Sequence, residues 1–102
     1  MRLTDIEKKT LLFTFNNIKG EVFLFGSRVD DKKKGGDIDI LIITQENVNE
    51  LELSLKLTNK FFEICEEKID IIIFNKNSID EKQQAFINTI NKIELKKVFQ
   101  ND

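Results

Sequence analysis

The sequence has no histidine, no proline, one cysteine and no long apolar run. Without imidazole there is no Ser-His-Asp or Cys-His nucleophile system, and no zinc site that relies on histidine. Cys65 alone cannot close an internal disulfide or furnish a thiolate metal site, so a reducing, cytoplasmic setting is expected. No stretch approaches the roughly 18–20 apolar residues of a membrane helix, and Met1-Arg2-Leu3-Thr4-Asp5 does not resemble a signal peptide. A basic surplus is also missing. The formal net charge of −2 argues against direct, nonspecific nucleic-acid binding.

What is present fits one small domain spanning residues 1–102. The length leaves no room for a second, substrate-binding lobe but is enough for one real core. With 40% hydrophobic residues, regularly spaced, the chain is not a disordered one.

Thr4 and Glu7 have capping-box spacing, and Leu11, Leu12, Phe15 and Ile18 follow at helical intervals up to Gly20, which is expected to stop that helix. Leu11, Leu12, Phe13 and Phe15 are four apolar residues within five, too many for one direction. Glu21–Phe25 reads as a short buried strand ended by Gly26. Residues 27–33 make a short helix or turn, Gly35-Gly36 is a flexible joint, and Asp37–Ile43 is a second strand. From Glu46 to Glu67 the pattern is helical. Val48, Leu51, Leu55, Phe62 and Cys65 form one stripe, widened by Leu53, Leu57, Phe61 and Ile64. Cys65 reads as a small core residue. Lys68–Phe74 is a third strand. Ser78 and Glu81 offer a second capping box for a last helix carrying Phe86, Ile90 and Ile93. Val98 and Phe99 either leave apolar surface for a partner or pack back onto the first helix.

Strands that are apolar on both faces need cover on both, which the helices supply. The expected architecture is a single α/β (α+β) domain with a mixed three-stranded sheet packed by helices, in the order α-β-α-β-α-β-α.

Alternation along a strand puts Asp37 and Asp39 on one face, about 6.5–7 Å apart, with Ile38, Ile40 and Ile42 on the other. Asp70 starts the other Ile-rich strand. If those strands are neighbours, three carboxylates meet at one end of the sheet and repel one another. Neither strand offers a compensating cation on that face, since Lys68 lies at the start of its strand. A divalent cation resolves the repulsion, and all-oxygen ligands favour Mg²⁺ or Mn²⁺. The plain alternative is that the acids face water.

Gly26-Ser27 follows a buried strand and opens a turn. Glycine allows close backbone approach, the amides at a helix start favour anions, and Arg28 adds charge. By itself this pair could be only a turn and its cap. Beside an acid cluster it describes a site for Mg²⁺–nucleoside triphosphate. Lys32, Lys33 and Lys34 either reach the phosphates or form a solvated loop.

The combination of a strand, Gly26-Ser27-Arg28, a short spacer, Asp37-Ile38-Asp39 and a later Asp70 resembles the DNA polymerase β-type nucleotidyltransferase superfamily. Its short length is similar to the minimal nucleotidyltransferase (MNT) family. The resemblance runs from the first helix through the third strand. It implies a two-metal nucleotidyl transfer, with Asp37 and Asp39 holding both Mg²⁺ ions. Asp70 would hold the catalytic ion and help deprotonate the attacking hydroxyl. Gly26, Ser27 and Arg28 would seat the phosphates of ATP. Nine residues separate Ser27 from Asp37, one fewer than is usual for MNT antitoxins.

Larger relatives append a helical domain for the acceptor. Here another subunit would supply that surface, in a homo- or hetero-oligomer, or the acceptor would itself be a protein. The resemblance thus implies an antitoxin that transfers AMP to a tyrosine of a helical HEPN ribonuclease toxin. Two alternatives stay open: partner-assisted transfer to a small hydroxylated molecule such as an aminoglycoside, and an inactive antitoxin that only binds.

Overall fold

A computed structural model describes residues 1–33 and 36–100. Helix α1 (Asp5–Phe15) starts at the expected capping box. The Thr4 hydroxyl accepts from the Glu7 amide, and the Glu7 carboxylate accepts from the Thr4 amide. The helix ends at Phe15 with Asn16 as C-cap, short of Gly20, which instead begins strand β1 (Gly20–Phe25). Asn16 and Asn17 explain the earlier stop, because their side chains compete for backbone partners outside a helix.

After β1 comes one 3₁₀ turn, Gly26–Val29, then β2 (Ile38–Thr44), α2 (Glu50–Phe62) and β3 (Ile69–Asn75). Helix α2 is shorter than the expected span from Glu46 to Glu67. Its start is set by Asn49, whose side chain accepts from the Glu52 amide at 3.0 Å. Beyond a second 3₁₀ turn (Lys76–Ser78) lies α3 (Glu81–Thr89). Its capping box is built by Asp80 and Gln83, two residues beyond the expected Ser78–Glu81 pair.

The expected single last helix is two helices with a strand between them. Chain direction changes at Ile90, which has extended ψ 146°. Residues Lys92–Glu94 form β4, and α4 (Leu95–Gln100) follows. The sheet therefore has four strands rather than three, in the order β3-β2-β1-β4. β1 runs antiparallel to both β2 and β4, and β2 runs parallel to β3. The spacing of Phe86, Ile90 and Ile93 mimics a helix because β1's free edge, which β4 satisfies, is a tertiary feature with no local signature. The domain is α+β with a mixed sheet.

Strand alternation sorts the core into two layers. Leu24, Ile38, Ile40, Ile42, Ile69 and Ile73 pack under α1, α2 and α4. Leu41, Ile43, Phe23, Phe25, Ile72 and Phe74 face the single helix α3 through Phe86 and Ile87. Val98 is buried and Phe99 partly buried in the first layer, so both pack back on the domain. Leu11 and Phe15 are core, while Leu12 and Phe13 are exposed.

The single broad apolar face expected between Glu46 and Glu67 divides into a covered and an uncovered part. Leu57, Phe61 and Cys65 are buried, whereas Leu51, Leu55, Phe62 and Ile64 face out. Among the described residues no helix is long and apolar enough to cross a membrane.

Candidate active site

Because β1 runs against β2, the turn leaving β1 and the residues entering β2 come to the same end of the sheet. The parallel crossover through α2 brings the start of β3 there too. Asp39 is the register partner of Asp70 on one side and of Phe25 on the other. All three share the face covered by α3, where one short helix leaves the strand ends open. Asp37 lies just before β2, and the Ile38 amide donates to the Lys68 carbonyl at 3.0 Å, tying the starts of β2 and β3 together.

Asp39 is half-buried, and Asp70 is exposed. Burial, followed by the negative charges of Asp70 and Asp37, pushes the Asp39 carboxyl above its ordinary range, and Lys68 offsets this only in part. Lys68 is the cation sequence spacing set aside: its Nζ lies 3.4 Å from Asp37 Oδ2. Among the described residues, no three Asp, Glu, His or Cys side chains converge closely enough to hold one ion as they stand. The donor set nonetheless fits a hard cation in chemistry. All its donors are oxygens, and repulsion among the three acids already disfavours ionised Asp39.

Gly26 is positioned by two independent constraints. Its φ of +76° belongs to the left-handed region, and a Cβ there would collide with Asp39 Oδ2. The turn backbone therefore lies directly against the site carboxylate. Ser27 is packed in the same way against Gly36, where a Cβ would meet the serine Oγ. Gly26, Ser27, Asp37, Asp39 and Asp70 are thus brought to one end of the sheet.

The Arg28 side chain turns into the fold instead of toward them. It is buried, and its Nη1 lies 2.9 Å from Glu7 Oε1. The buried Glu7 is a site-end residue that spacing identified only as a helix cap. Its signal was a charged residue on the core-facing side of α1, in line with Leu11 and Thr14. Lys32 and Lys33 are exposed, and the Lys32 amide donates to Asp30 Oδ1. Lys34 and Gly35 lie outside the described residues.

A strand leading into a glycine-serine turn, set against paired carboxylates on two parallel strands, is the arrangement of a nucleotidyltransferase domain. The chain belongs to the family described as polymerase beta, nucleotidyltransferase, whose model matches residues 7–97. No curated protein matches the chain significantly.

Proposed function

We propose that this domain is a Mg²⁺-dependent minimal nucleotidyltransferase acting as an antitoxin, which transfers AMP from ATP to a tyrosine of a helical HEPN ribonuclease partner. The observation that carries the catalytic part is the contact between Gly26 and Asp39, with Asp70 as the register partner of Asp39. Family membership supports the reaction class. The partner and acceptor follow from the resemblance to minimal nucleotidyltransferases.

In this function the Gly26-Ser27 turn seats the β- and γ-phosphates through its amides and the serine hydroxyl. Asp37, Asp39 and Asp70 hold Mg²⁺, with Mn²⁺ as the alternative. The bound cations supply charge neutralisation at the phosphates and at the attacking and leaving oxygens. Asp37 exchanges its contact with Lys68 for that role. Asp70, the most exposed of the three, takes the proton of the acceptor hydroxyl on its carboxylate as the oxygen bonds to the α-phosphorus and pyrophosphate departs. Phe25, the register partner of Asp39 on β1, gives one flank of the acids an apolar neighbour.

Label transfer tests the proposal. The protein, Mg²⁺ and α-labelled ATP are incubated with extract from the source organism, alongside Asp39→Asn. Label on one small protein, absent with the variant, is the expected result. Label on a small metabolite would replace the protein acceptor with a hydroxylated small molecule. No label with any nucleotide would leave an antitoxin that acts by binding alone.

A further inference from the structure

Arg28 sits one residue after the serine that the proposed function assigns to the phosphates, yet its side chain turns inward. Its Nε donates to the Gly36 carbonyl at 2.9 Å, and its Nη1 donates to Glu7 Oε1 at 2.9 Å and to the Arg2 carbonyl at 3.1 Å. Nη2 lies 3.9 Å from Glu67 Oε2. One guanidinium therefore joins four segments: the start of α1, the N-terminal residues, the residue preceding Asp37, and the stretch leading into β3. Arg2 completes the enclosure from outside. Its amide donates to the Arg28 carbonyl at 2.7 Å, its Nε to the Asp30 carbonyl and its Nη2 to the Ser27 carbonyl, both at 2.9 Å.

We propose that Arg28 is a positioning residue rather than a phosphate ligand. With Glu7 and Arg2 it fixes the Gly26-Ser27 turn relative to the starts of β2 and β3, and so sets the distance between the phosphate seat and the acids. This rests on the assignment of Gly26-Ser27 as that seat.

The physical case has three parts. A guanidinium offers five donors in a rigid fork, and here Gly36, Glu7 and Arg2 occupy Nε and Nη1 inside the fold. The Glu7 carboxyl stays ionised at neutral pH: burial raises it, but the Arg28 hydrogen bond, the Thr4 hydrogen bonds and the Arg28 charge together hold it below its ordinary value. A buried charge left without its partner is strongly unfavourable, so the turn cannot drift away from Glu7 without penalty. The bond to Gly36 matters most, because it fastens the far end of the spacer whose length departs from the family pattern.

The test uses Arg28→Lys and the milder Glu7→Gln in the full chain. The readouts are amide hydrogen exchange and Mg²⁺–ATP affinity. Expected are exchange at Arg2, Asp30 and Ile38 accelerated about tenfold more than at β2 amides such as Leu41, which report the global stability loss, and about tenfold weaker nucleotide binding in both variants. Glu7 lies across the guanidinium from the turn, so its effect on affinity separates positioning from direct contact. Wild-type affinity and exchange in Glu7→Gln, with weakened binding in Arg28→Lys, would overturn the proposal and make Arg28 a ligand. A rise at core β2 amides as large as that at Arg2, Asp30 and Ile38 would also overturn it, by reducing the pair to general stability. Failure of the wild-type protein to bind Mg²⁺–ATP would sink the proposed function instead, and the exchange contrast would still decide the positioning role.

Discussion

Asp39 and Asp70 occupy matched positions on parallel neighbouring strands, so their carboxylates leave the sheet on the same face and at the same level. Neighbouring strands are about 4.8 Å apart, which makes this juxtaposition a standing electrostatic cost in the folded protein.

Asp39→Asn should therefore stabilise the metal-free protein at neutral pH. The folded-state carboxyl is raised above its ordinary value of 3.8, so ionised Asp39 weakens the fold above its folded pKa, and this effect vanishes below the unfolded value. Thermal melts should show the variant a few degrees higher at pH 7, with the gap closing as pH falls toward 4. Added Mg²⁺ should raise the wild-type midpoint and leave the variant unmoved.

Glu7→Gln should show the opposite sign. The folded Glu7 carboxyl lies below its ordinary value of 4.5, so its ion pair contributes stability that is present above that value and is lost as pH falls through the folded pKa. Denaturant melts at neutral pH should show a loss of about 1–3 kcal/mol, because the amide keeps a hydrogen-bond acceptor while Arg28 loses its nearer, buried countercharge. Below pH 4 the difference should shrink.

Gly26→Ala should cost about 1–3 kcal/mol for the left-handed backbone alone. It should also displace the Asp39 carboxylate, because the added methyl occupies the space of Oδ2. Chemical denaturation checks the first effect. Loss of the Mg²⁺-induced rise in melting midpoint checks the second.

The covered and uncovered apolar residues of α2 can be distinguished by truncation. Leu57→Ala should cost about 2–4 kcal/mol, since Leu57 is nearly fully buried. Leu55→Ala, two residues away and more than half exposed, should change stability by no more than about 0.5 kcal/mol. Similar losses in urea melts would mean the buried face of α2 is wrongly assigned.

The strands and turn that frame the site were legible because their signals are local. Alternation in Asp37-Ile38-Asp39-Ile40 separates the acid face from the core face, and Gly26 marks the end of an apolar run. The features that were not legible depend on distant partners. Leu51 and Leu55 have the same helical spacing as Leu53 and Leu57, and only the position of the sheet decides which pair is covered. Lys92–Glu94 becomes a strand because β1 has a free edge, and Arg28 turns inward because Glu7 is buried opposite it. Adjacency to Ser27 pointed Arg28 toward phosphate, since a sequence position does not specify which way a side chain turns.

The antiparallel return from β1 to β2 has a consequence for how the domain assembles. The turn and the first two acids lie within fourteen positions of one another, Gly26 to Asp39, so their half of the site closes over a short loop. Asp70 arrives only after the longer crossover through α2, with its larger closure entropy. Folding of β1 and β2 can thus form the glycine–carboxylate contact before the third acid is in place, and docking of β3 is the step that both completes the site and introduces its charge repulsion.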